Sequence, residues 1–170
     1  MTRNEFLDEL KEFMEGVFAD IKLPVKLQTI NDEVSYRPPE IYSMRLPDSK
    51  SAYKKVPYVI NRIVTSQSVG KPGELRERTC VVDSIFAVYS EDENEGARKL
   101  IQLFDRIEFE LINAGGVGEG NMYELIREQP IEFLIYPEDT APYYMGEMVT
   151  TWRMPPIEQE MPILWNPTYP

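Results

Sequence analysis

The sequence predicts an α+β fold: a mainly antiparallel sheet covered by two long helices in a two-layer arrangement, with a long β-hairpin loop and an extended Pro-rich C-terminal arm. Three observations carry this expectation. Two segments repeat apolar residues at three- and four-residue spacing, the mark of an amphipathic helix. Several shorter segments are rich in β-branched and aromatic residues. Their order is helix, strands, helix, strands, without the strict alternation of a parallel α/β fold. A chain of 170 residues is most simply one domain, and at this size folding buries roughly 70% of the unfolded surface. Residues 1–155 therefore read as a single domain with a long irregular insertion at 30–56, and residues 156–170 as the arm.

Each element has a local reason. Over residues 3–19, Phe6, Leu7, Leu10, Phe13, Met14, Val17 and Phe18 share one helical face, and Thr2 followed by Glu5 fits a capping box. The helix is expected to stop before Pro24, with a short strand at 25–29. Residues 30–56 hold Pro38, Pro39 and Pro47 beside Tyr36, Tyr42 and Tyr53, with no sustained period. Residues 58–65 read as a strand. The polar stretch 66–78, with Gly70, Pro72 and Gly73, reads as the loop of a long hairpin whose second strand is 79–89. In that strand Cys80, Val82, Ser84, Phe86 and Val88 alternate with Val81, Asp83, Ile85, Ala87 and Tyr89. Both sets are largely apolar, so a central strand covered on both faces is expected.

The longest helix is expected at 93–113, with Ala97, Leu100, Ile101, Phe104, Ile107, Leu111 and Ile112 as its buried stripe. Ala114-Gly115-Gly116 would end it, since glycine readily adopts the left-handed conformation at a C-cap. Strands follow at 122–128 and 131–136, with Gln129-Pro130 between them. The final strand is expected at 145–154, with Trp152 on its packed face, closed by Pro155-Pro156.

Composition removes whole classes of chemistry. The chain has no histidine and one cysteine, which excludes a serine triad, a Cys–His pair and a conventional zinc site. Cys80 reads as a buried small hydrophobe. The net charge of −11 disfavours tight nucleic-acid binding, which needs clustered Lys and Arg. No apolar run is long enough to span a bilayer, and the opening helix pattern is unlike a secretory leader. A protein made in a cytoplasm is expected.

Three patterns have bland readings that outweigh the sharp ones. Glu91, Asp92, Glu93 and Glu95 suit the positive end of a helix dipole better than an EF-hand, whose ligand spacing is missing. Gly115-Gly116-Val117-Gly118-Glu119-Gly120 follows a helix and opens a strand, the reverse of a phosphate loop. Glu108 with Glu110, and Glu158 with Glu160, are acidic pairs that a hydrolase could use, but in so acidic a chain they read as solvated faces. No enzyme, cofactor or metal site is expected.

The features that point outward are different. Lys71, Arg76 and Arg78 form the main basic concentration, in the expected hairpin loop. Trp152 stands just before Pro155 and Pro156, and Trp165 and Tyr169 lie in a tail with no core of its own. Trp and Tyr beside a proline-stiffened arm suit protein–protein contact. These eight residues are the expected subunit or partner interface.

The succession Ala87-Val88-Tyr89-Ser90-Glu91-Asp92, then Glu95-Gly96 opening a helix, then Pro142-Tyr143-Tyr144-Met145-Gly146-Glu147-Met148-Val149-Thr150-Thr151-Trp152 before Pro155-Pro156-Ile157-Glu158, resembles the tail-terminator (tail-completion) proteins of long-tailed bacteriophages and prophages. The likeness covers roughly residues 56–160; the insertion at 30–56 and the extended tail have no counterpart in it. The resemblance implies a virion structural protein, assembled in the host bacterial cytoplasm, that forms a ring, commonly a hexamer. Its implied partners are further copies of itself, the tail tube protein and a head-side connector, with DNA passing through unbound and no membrane involved. A neck or head–tail joining protein is the alternative within that class, and a small-molecule-binding regulatory α+β domain the alternative outside it.

Overall fold

A computed structural model describes residues 2–26, 31, 33–47, 55–71, 73–137 and 141–157. Among these residues the fold is α+β: two α-helices and a curled, mostly antiparallel sheet. Helix α1 spans Arg3–Phe18 and starts at the expected capping box. The Thr2 hydroxyl accepts from the Glu5 N–H at 3.2 Å while the Thr2 N–H donates to the Glu5 carboxylate at 2.6 Å, so two end donors that the helix leaves orphaned are satisfied. A two-stranded ladder of β1 (Leu23–Pro24) and β2 (Tyr36–Arg37) follows.

The main sheet runs β3 (Glu40–Ser43), β4 (Tyr58–Val69), β5 (Arg76–Tyr89), β9 (Tyr143–Ile157), β7 (Tyr123–Leu125), β6 (Gly116–Val117). The short strand β8 (Glu132–Ile135) also pairs with β9. Helix α2, Glu93–Ala114, joins β5 to β6. Its N-cap is Asp92, whose carboxylate accepts from the Asn94 and Glu95 N–H groups, and Gly115 closes it in the left-handed conformation at φ 73°.

Several expectations need correction. The insertion at 30–56 is not wholly irregular: Glu40–Ser43 pairs in parallel with the start of β4, from Glu40↔Tyr58 to Ser43↔Asn61. Four residues without a period of their own become a strand because β4 offers them an edge. The expected strand at 25–29 is displaced to Leu23–Pro24, with 27–29 outside the described residues. The hairpin loop is much shorter than 66–78, since β4 continues to Val69 and β5 begins at Arg76. The strands at 122–128 and 131–136 shrink to three and four residues. They do not form a hairpin, because each pairs with a different stretch of β9.

Pro155 and Pro156 do not close the last strand; they lie inside it. Arg78 pairs with Met154 and Arg76 with Ile157, so two residues of β9 face the single Glu77. That is a bulge, where a strand tolerates residues lacking an N–H. The Arg78 guanidinium donates to the Pro155 carbonyl at 3.1 Å and ties the bulge down.

The core lies where both helices meet the sheet. Phe6, Leu10, Met14 and Phe18 of α1 and Leu100, Phe104, Ile107 and Leu111 of α2 join Cys80, Val82, Phe86 and Val88 of β5 and Met148, Trp152 and Met154 of β9. Ser84 sits among these because its hydroxyl donates to buried Asn61 Oδ1 at 2.7 Å, while Asn61 Nδ2 lies 3.3 Å from Met14 Sδ. The other set of β5, Ile85, Ala87 and Tyr89, joins a second cluster with Val56, Tyr58 and Ile60. Strand β5 is thus covered on both faces, as its composition predicts. Strand β9 is crowded at Gly146: a Cβ there would stand 2.7 Å from the Leu134 carbonyl oxygen and 2.9 Å from the Phe104 ring.

Candidate subunit interface

The residues expected to reach a partner separate sharply. Trp152 is fully buried, its ring centroid 5.2 Å from that of Phe6, and its indole N–H donates to Thr150 Oγ1 at 2.8 Å. Arg78 is also buried, inside β5 rather than on a loop. Both side chains face the interior of this chain. Arg76 lies half-buried along the hairpin, donating to the Ser68 hydroxyl at 3.2 Å and the Ser68 carbonyl at 3.1 Å. Pro155 is half-buried in the bulge and Pro156 exposed beside it, while Lys71 is exposed in the turn. Trp165 and Tyr169 lie outside the described residues, as does most of the arm.

What sequence reasoning misses is apolar side chains on the surface. Val69, Leu75 and Ile157 are 65%, 58% and 50% exposed. The register places Val69 on the face of Glu77 and Ile157 on that of Arg76, so these two stand on opposite faces of the hairpin end, where Lys71, Glu74 and Glu77 are also exposed. This end of the hairpin extends beyond the level of Cys80 and Trp152, where α2 ends next to β7. Strand β3 pairs with β4 only as far as Asn61. Beyond it, among the described residues, the outer edge of β4 has no neighbouring strand.

A second apolar surface lies on α2. Ile101, Phe109 and Ile112 are exposed, Phe109 at 63%, whereas helical spacing alone puts Ile101 and Ile112 in the buried stripe. Leu103 is buried in their place. A helix turns about 100° per residue, so Leu100, Leu103, Phe104, Ile107 and Leu111 form one face, and the exposed trio stands off to one side. Asp105 and Glu108 flank this ridge. Beside it runs a groove of about 290 Å³ lined by Glu108, Ile112, Leu125, Arg127, Pro130 and Ile131, where the Arg127 guanidinium donates to the Ile112 carbonyl at 3.0 Å.

The remaining sequence candidates resolve into local roles. Asp92 caps α2, Glu95 pairs with Lys99 at 3.0 Å, and Glu91 accepts from the Tyr89 hydroxyl at 2.9 Å. Glu108 and Glu110 face different grooves: Glu110 lines one of about 540 Å³ with Glu9, Glu12 and Phe13 of α1. Glu158 and Glu160 lie outside the described residues. Arg106, also in the larger groove, is bound by Asp20 at 3.2 Å. Among the described residues, no three His, Cys, Asp or Glu side chains gather to hold a metal ion, and no helix is long and apolar enough to cross a membrane. No protein-family model matches the chain, and no curated protein is significantly similar to it.

Proposed function

We propose that this protein is a non-enzymatic tail terminator of a long-tailed bacteriophage, a two-layer subunit with its helices on one face of the sheet. Copies assemble into a closed ring, a hexamer by the family resemblance, that caps the tail tube and joins it to a head-side connector. The observation that carries this reading is that large apolar side chains are exposed in two separate places, the end of the hairpin and the outer side of α2. A head-to-tail ring is built from two different patches on each copy; an isologous dimer needs only one.

The segments that carry the family resemblance are also neighbours in space, which supports reading them as one unit. Residues 87–89 at the end of β5 pair with 143–145 at the start of β9. Gly96 at the opening of α2 lies against Tyr144, whose ring occupies the space a Cβ would take. The net charge of −11 suits a ring through which DNA passes without adhering.

Mass measurement in solution across a range of concentrations, followed by imaging with purified tail tubes, tests the reading. A discrete closed oligomer and decoration of one tube end are expected. A strict monomer at high concentration that never decorates tube ends would sink it.

A further inference from the structure

We infer that the groove beside α2 is the seat of this chain's own C-terminal arm, with Trp165 as the side chain that enters it. The groove is chiefly apolar: Ile112 of α2 lines one side and Leu125, Pro130 and Ile131 the other, around a volume of about 290 Å³. That is near the lower end of ligand clefts, roughly 300 Å³, so one bulky side chain fills it. Its charged lining is balanced, with one carboxylate, Glu108, and one guanidinium, Arg127, which is already donating to the Ile112 carbonyl. An uncharged, apolar occupant suits such a groove, and an aromatic anchor in an apolar pocket is a common way for a segment to dock.

The chain carries that occupant within reach. Strand β9 ends at Ile157, and Met161-Pro162-Ile163-Leu164-Trp165 follows in a stretch, 161–170, without a charged side chain. Leu125 of the groove pairs with Trp152, five residues back along β9, or roughly 17 Å. The eight residues from Ile157 to Trp165 span up to roughly 26–29 Å, enough to turn back and reach it. Two other grooves fit the segment less well. The one of about 540 Å³ presents Glu9, Glu12 and Glu110 around a single Arg106, and Glu158 and Glu160 would have to approach those carboxylates. A third, of about 280 Å³, carries the hydroxyls of Thr65, Thr79 and Thr151, which an indole beside Ile and Leu would leave without partners. Ile101 and Phe109 do not line the apolar groove. They stay open to a neighbouring copy, so an arm seated here is compatible with the ring and independent of it.

Trp152 and Trp165 are the two tryptophans of the chain, and Trp152 is fully buried, so it serves as an internal control. Acrylamide quenching of the full chain, with Trp165→Phe isolating the Trp165 signal by difference, is expected to find both indoles shielded. Ile112→Asp, at a position 46% exposed, is expected to red-shift Trp165 and open it to the quencher while Trp152 stays shielded. In a Cys80→Ala background, Ile112→Cys with Leu164→Cys is expected to form a disulfide whose denatured product has the mass of one chain. A Trp165 open to the quencher in the parent, or a shielded Trp165 that Ile112→Asp leaves untouched, overturns the seat. So does the absence of a bond between positions 112 and 164, or a bond formed only between copies. None of these results touches the ring reading, which solution mass and tube imaging decide separately.

Discussion

Trp152 shows how one side chain can combine packing with a satisfied polar group. Its indole fills the space between Phe6 and the sheet, and Thr150 on the same strand accepts its N–H. Trp152→Ala removes that volume from a close-packed core and leaves a cavity, for which a loss of about 3–5 kcal/mol is expected. Urea unfolding of the variant and the parent measures it; a loss below about 1 kcal/mol would contradict the assigned packing.

Titration offers another test at the scale of single residues. Burial pushes the Cys80 thiol up to about 11 from its ordinary 9.0, against the opposing pull of Arg3 and Arg78. Tyr136 and Tyr42 are pushed up to about 12, by burial first and then by their hydrogen bonds to Glu147 and Glu40. In each case the folded value lies above the unfolded one. The stability these groups contribute is therefore complete below the unfolded values, and it is lost as pH rises through the folded ones. Urea midpoints are expected to hold up to about pH 9 and to fall from there toward pH 12. Cys80→Ala should flatten the first part of that fall, and an unchanged slope would mean that the thiol ionises freely in the folded protein.

At the scale of elements, the hairpin and the last strand depend on one another. Strand β9 is central because β5 pairs with nearly its whole length, while β7 and β8 share its other edge. Its final turn past Met154 would lose the ladder at two successive prolines. The bulge opposite Glu77 removes that conflict, and Arg78 fixes the Pro155 carbonyl. Arg78→Leu should keep the fold but loosen the end of β9, losing about 1.5–3 kcal/mol of charge-assisted bonding. Limited proteolysis after residue 154 would report it; cleavage no faster than in the parent would mean that the bulge holds without the guanidinium.

For the whole molecule, the same features that make a stable subunit leave two surfaces unfinished. Helix α2 buries one face against β5 and β9, yet keeps Ile101, Phe109 and Ile112 exposed. The hairpin carries Val69 and Leu75 out past the core. Single exposed apolar residues are ordinary, but clusters of them commonly mark places where another chain binds. The proposed head-to-tail assembly would draw on both places.

The sequence by itself determined the elements whose cause is local. The Thr2/Glu5 capping box, the Asp92 cap, the left-handed Gly115 and the doubly apolar alternation of residues 80–89 each act within a few residues, so they are legible in the amino-acid order alone. The α+β class and the burial of Trp152 and Cys80 follow from the same periodicities. Only the tertiary structure decided what depends on a distant neighbour. Glu40–Ser43 is a strand because β4 lies beside it, and Pro155-Pro156 sit within a ladder because Glu77 stands alone across from them. Arg78 is buried rather than basic surface because β9 covers it. For the candidate interface, Lys71 is legible as an exposed charge, whereas the ridge is not. Helical spacing identifies which residues share a face, but Leu103, Ile101 and Ile112 have similar hydrophobicity. Which of them meets the core and which meets solvent is set by how α2 is rotated about its own axis against the sheet.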